Sequence, residues 1–149
     1  MQQAPETILL NYIQDSWSLN VEGVTKEDVM FTDKDVNTEN GTYKPHVIVQ
    51  PAGARRLQPA EDDLYEFTFV IKVTLWSRWH KIPQDTDKKQ LHWLMIDHIK
   101  NMFSIQNNHC PNTWETAYVD STANVALAMN LLPDINEYNL TVKATIAWT

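Results

Sequence analysis

Residues 64–78, LYEFTFVIKVTLWSR, alternate apolar and polar side chains almost without a break. Tyr65, Phe67, Phe69, Ile71, Val73 and Leu75 take the odd positions. Glu66, Thr68, Lys72, Thr74 and Arg78 take the even ones, interrupted by Val70 and Trp76. A period of two sends successive side chains to opposite faces, so the stretch predicts a β-strand. Residues 137–149, EYNLTVKATIAWT, repeat the pattern. There Tyr138, Leu140, Val142, Ala144, Ile146 and Trp148 alternate with Asn139, Thr141, Lys143, Thr145 and Thr149. One apolar and one polar face per strand predict an antiparallel sheet covered on one side only. The second face is left to line a channel, meet a partner or face solvent.

The other elements fall on either side of these strands. Pro5-Glu6-Thr7 opens a helix, with proline suited to the first turn and an acid that complements the dipole. Ile8, Leu9, Tyr12, Ile13 and Trp17 give it one apolar face, and it fades near Ser18 before Gly23. Val29-Met30-Phe31 predicts a short strand, Asn40-Gly41 a turn, and Pro45–Pro51 a short β-rich run bounded by prolines. Ala52–Asp63 has no apolar periodicity and reads as a long loop in an extended hairpin arm. Asp87 caps a second helix, with Gln90 three residues on, that runs to about Ile105. Its stripe of Leu91, Leu94, Met95, His98, Ile99 and Met102 is expected on the apolar side of the sheet. Trp114–Val119 predicts a strand, and Ser121–Asn136 a short helix or an irregular strand. The expected fold is a single α+β domain over residues 1–149. It has a mainly antiparallel sheet, helices on one face and a long β-hairpin loop.

The 149 residues are enough for a core, and 43% hydrophobic with 21% charged is the ordinary balance of a globular protein. A net charge of −7 argues against a basic groove that grips nucleic acid; it reads first as solubility, and it is also compatible with a wall that DNA slides past. The single cysteine, Cys110, rules out an intrachain disulfide and a cysteine-rich zinc site. Met1–Pro5 carries neither a charged nor an apolar signal region, and no apolar run approaches the ~20 residues of a membrane span, so neither export nor a membrane is expected.

Catalytic signatures are missing. Of the five histidines, His92 and His98 lie six apart and face different directions on a helix, and no HExxH motif occurs. His109-Cys110 has no third ligand nearby. Glu61, Asp62, Asp63, Glu66, Asp85 and Asp87 read as solvated acids, since nothing marks a desolvated carboxylate. Ser77 and Ser104 lack a nucleophile-elbow context, and three glycines supply no phosphate-binding loop. No catalytic residue, metal or cofactor is expected.

Trp76-Ser77-Arg78-Trp79 is the densest aromatic and basic cluster. It suits a partner-binding hot spot as well as it suits one core tryptophan beside a solvated arginine. Arg55-Arg56 is placed either to pair with acids of a neighbouring subunit or to stand idle on an exposed loop. Arg55, Arg56, Trp76, Arg78 and Trp79 are therefore the candidate interface residues.

The order of elements resembles that of the tail terminator or tail completion (neck) proteins of tailed viruses. The resemblance is carried by Pro45-His46-Val47-Ile48-Val49, by Tyr65 through Trp79, by the Leu91–Phe103 helix and by the closing Tyr138–Trp148 strand. It covers most of the chain as a pattern of elements, not as an invariant motif. It implies an α+β fold and a homo-oligomeric ring, commonly a hexamer, at the head-proximal end of a tail tube. It further implies partners in the tube protein and the neck or connector proteins, DNA passing through the lumen, no catalysis, and a place in the virion after assembly in the host cytoplasm. Two other classes are weighed beside it: a small binding module using the Trp76–Trp79 cluster and the uncovered face, and a hydrolase or metalloenzyme whose site assembles only in space.

Overall fold

In the computed structural model, residues 4–34, 43–56, 64–103, 116–120, 129–132 and 135–147 are described. They form α1 (Pro5–Ser16), β1 (Met30–Thr32), β2 (His46–Arg56), β3 (Leu64–Trp76), α2 (Lys88–Met102), β4 (Thr116–Val119), β5 (Met129–Leu132) and β6 (Ile135–Ala147). The fold is α+β. The strands run in the order β1-β2-β3-β6-β4, with β5 also pairing β6. Among the described residues, only the β1–β2 pair is parallel.

The alternation is honoured as a strand over residues 64–76, while Ser77 and Arg78 fall in the turn that follows. Phe69, Ile71, Val73 and Leu75 of β3 and Tyr138, Leu140, Val142 and Ala144 of β6 are buried, and they share one core with Val47 and Val49 of β2. Each fully buried side chain of this size contributes about 1.5–3 kcal/mol through removal from water. Both helices supply that same core, α1 through Leu9 and Ile13 and α2 through Leu91, Met95, Ile96 and Ile99. They meet where the Tyr12 hydroxyl donates to the Met102 carbonyl at 2.9 Å and the Tyr12 and Phe103 rings lie 5.5 Å apart. The helices thus clad one face of the sheet.

The Asp87 cap is present: its carboxylate accepts from the Lys89 and Gln90 amides. The buried stripe of α2 is rotated from the expected one. Leu94 is 36% exposed, while His92 and Ile96 are 1% and 0% exposed. Positions 91, 92, 95, 96, 99 and 102 form an equally regular helical stripe, and apolarity alone did not rank His92 above Leu94. His92 earns its place by donating from Nε2 to the Val73 carbonyl of β3 at 2.9 Å.

The predicted loop over Ala52–Asp63 is corrected in its first part. Residues 52–56 continue β2, paired from Gly53↔Thr68 to Arg56↔Tyr65. The register shifts between Pro51 and Gly53, and Gly53 has φ +155°, a bulge conformation that side chains rarely adopt. A partner as long as β3 lets pairing override the missing periodicity. Part of the segment read ambiguously at 121–136 is also strand: β5, then the start of β6. The Asn40-Gly41 turn, His109, Cys110, residues 57–63 and 121–128, and Trp148 lie outside the described residues.

A lock joins the segment after α1 to the segment after β3. Trp17 Nε1 donates to the Val24 carbonyl at 3.0 Å, and Trp79 Nε1 to the Gly23 carbonyl at 2.9 Å. Beside them the Asp28 carboxylate accepts from the Thr25 hydroxyl at 2.8 Å and pairs with Lys81 at 3.2 Å. Burial pushes the Asp28 carboxyl up, but the Thr25 and Lys81 contacts outweigh it and hold it below its ordinary value. Gly23 has φ +96°, and a Cβ there would meet Ile82 Cγ1 at 3.4 Å. Gly23→Ala is expected to cost about 1 kcal/mol or more, and Trp79→Phe about 1–3 kcal/mol, in denaturant unfolding. Unchanged midpoints would show that the lock carries no stability.

Candidate interaction surface

The five candidate residues occupy two places. Arg55 and Arg56 lie at the end of β2, in register with Glu66 and Tyr65. Arg55 is exposed and pairs within its own hairpin, Nε to Glu66 Oε1 at 3.0 Å. With an arginine side chain 70% exposed the pair adds little stability, about 0–1 kcal/mol. The remaining three sit where β3 turns toward α2, and the structure separates them. Trp79 is 4% exposed and belongs to the core, where it serves the Gly23 lock. Trp76, at an even position of β3, is on the face away from the helices, and Arg78 is exposed in the turn that follows. The Trp76 ring meets Tyr43 edge-on at 5.7 Å, and the Arg78 guanidinium stands 5.8 Å over the Tyr43 ring. Tyr43 has φ +41°, a conformation uncommon for a bulky residue.

The second face is polar, as the alternation demands, and its charges are matched. By register it carries Glu66, Thr68, Lys72 and Thr74 of β3 beside Glu137, Asn139, Thr141 and Lys143 of β6. Lys72 pairs with Glu137 at 3.2 Å, and Lys143 with Asp120 at 3.3 Å. The expectation of a uniformly free face is corrected at one end. His46, Ile48 and Thr74, which the register places there, are 5%, 1% and 2% exposed. Around them Thr74 Oγ1, Trp76 Nε1 and Asn139 Oδ1 are buried with no hydrogen-bond partner. A period of two reports which side a residue faces, not how deeply it is covered.

Burial holds the His46 imidazole below its ordinary value; Lys72 adds to this, while the Lys44 backbone and Glu137 oppose it. Burial does the same to His92. Tyr43 and Asn139 were not among the candidate site residues, and His46 entered only as one of the five histidines and within the Pro45–Val49 run. Their signal was the break in alternation at Trp76, which marks where aromatic bulk enters the polar face. Among the described residues, no three His, Cys, Asp or Glu side chains converge to hold a metal ion, and no helix is long and apolar enough to cross a membrane. No protein-family model and no curated protein matches the sequence.

Two outcomes are expected. Thr74→Val should leave stability unchanged or raise it by about 1 kcal/mol, because it removes a buried hydroxyl that makes no bond; a loss above about 1 kcal/mol would show that the hydroxyl is engaged. Stability should also fall as pH drops from 7.5 to 5. The folded-state values of His46 and His92 lie below the unfolded one, so their contribution is complete above the ordinary value of 6.5 and lost as pH falls through the folded values. His92→Gln should flatten that slope in unfolding titrations; an unaltered slope would exclude His92 as a source.

Proposed function

We propose that this chain is a structural virion protein that forms a ring at the head-proximal end of a viral tail tube. In that role it ends tube polymerisation and joins the tail to the head or neck. It performs no catalysis and binds no cofactor. Its partners are sister copies, most simply six, together with the tube protein and the neck or connector proteins. DNA passes through the lumen without being held, which an acidic balance of −7 favours by repelling phosphate.

The observation that carries the proposal is the asymmetry of the sheet. The described strands end in β1 on one side and in β4 and β5 along β6 on the other, edges that differ in sequence and in pairing direction. Joining unlike surfaces of identical copies gives a head-to-tail contact, and such a contact closes into a ring when its rotation repeats about an axis. The end of the β2–β3 hairpin adds reach: residues 52–55 are exposed and stiffened by pairing to β3. The helices supply the opposite face and leave the polar one to neighbours or lumen.

A second reading rests on Trp76, Tyr43 and Arg78 beside the unpartnered Thr74 and Asn139 atoms. There the chain is a small non-catalytic binding module, and Trp76→Ala would abolish ligand capture without changing the assembly state. Native mass spectrometry across micromolar concentrations separates the two. The ring is expected to give six copies of the 17.3 kDa chain, and Arg55→Glu with Arg56→Glu should shift the population toward monomer. A monomer at every concentration, with or without tube protein, would contradict the ring.

A further inference from the structure

α1 ends without a basic residue in its last turn, so its terminal carbonyls lack the usual cationic partner. A side chain from α2 fills the place. His98 Nε2 accepts the Ser18 amide N–H at 3.0 Å, and the ring also bonds the Ser16 backbone. The imidazole also meets the Trp17 ring edge-on, 4.9 Å between centroids at 87°. Trp17 in turn packs on Phe31 of β1 at 5.5 Å and bonds the Val24 carbonyl. One side chain thus holds the end of α1, the start of the following segment and, through Trp17, the edge of the sheet.

An imidazole that accepts an N–H at Nε2 has a lone pair there and is neutral. A proton taken from solvent at Nε2 occupies the lone pair that Ser18 uses. Two N–H groups would then face each other across 3.0 Å, and the Ser18 amide would lose its acceptor. The Ser16 backbone bond favours the protonated ring, so it is the Ser18 contact that acid breaks.

We propose that His98 is an acid-released latch: above neutral pH it fastens the C-terminal end of α1 to α2, and protonation at Nε2 lets that end detach while the β2–β3–β6 sheet stays folded. Burial lowers the imidazole's affinity for the proton and the Ser16 bond opposes this in part, with burial winning. The groups about His98 are Ser16 at the end of α1, Trp17 and Ser18 just after it, and Phe31 of β1 behind Trp17, all uncharged. Asp15 on α1 and Asp97 on α2 are exposed, and Lys100 lies over the Trp93 and Tyr138 rings. None of these charges enters the balance at His98. The contact is therefore complete above the ordinary imidazole value of 6.5 and is lost as pH falls through the lower folded one.

Hydrogen exchange followed by mass spectrometry on the full chain at pH 7.5 and pH 5, corrected for intrinsic rates, tests this. Protection over residues 5–18 is expected to fall at least about fivefold at pH 5, with peptides from β3 and β6 much less affected. His98→Gln supplies an acceptor for Ser18 and a donor for Ser16 at every pH; it should keep protection at pH 7.5 and abolish the fall. A fall of the same size in His98→Gln, or no fall in the wild type, would overturn the latch. Titration of the His98 ring by NMR in the unaltered protein guards against a folding defect in the variant. A midpoint below 6.5 supports the latch, and one at or above 6.5 rejects it.

Discussion

β3 is hydrogen-bonded along both flanks, to β6 over all of its thirteen residues and to β2 from Tyr65 to Thr74. The rest of the structure depends on this double pairing. It fixes the register, and the register decides which face is apolar, because a slip of one residue would turn Phe69, Ile71, Val73 and Leu75 outward together. With those four side chains committed to one side, both helices have a single surface on which to bury their stripes. The opposite side inherits the lysines, acids and threonines. The cross-strand ion pairs follow from the same alignment, as Arg55 opposite Glu66 and Lys72 diagonal to Glu137 illustrate. The pairing also carries β2 past its apolar stretch and stiffens the start of the hairpin arm.

Features governed by local pattern were legible in the sequence. The two long strands, the Asp87 cap and the proline at the start of α1 each state a short-range requirement, and each was met. Features governed by a distant partner were not. Residues 52–56 carry no strand signal of their own and are strand because β3 extends alongside them. His92 reads as polar, yet the Val73 carbonyl gives it a reason to be in the core. Trp76 and Trp79 were indistinguishable as neighbours in one cluster. A turn between them sends Trp79 to the Gly23 carbonyl and leaves Trp76 at the end of the strand. No periodicity encodes that split, because it is set by where the glycine turn after α1 comes to rest.

The candidate surface was legible in outline only. Alternation marked the polar face, and Arg55 and Trp76 were placed on or beside it. The enclosure of His46, Ile48 and Thr74 at one end was not foreseeable, since alternation gives the side a residue faces and not its depth. The consequence for the proposed ring is specific. The covered end holds unsatisfied polar atoms beside the Trp76–Tyr43 contact, whereas the middle of the face, around Val70, Thr68 and Thr141, is only partly buried.

Two unlike edges, a single clad face and a stiffened arm all bear on whether this polypeptide binds copies of itself around an axis. Electron microscopy of the purified full-length chain, imaged at high micromolar concentration and averaged end-on, answers this most directly. Closed rings with a central lumen and repeating lobes are expected. A field of compact particles the size of one chain, with no lumen in any class average, would contradict the account.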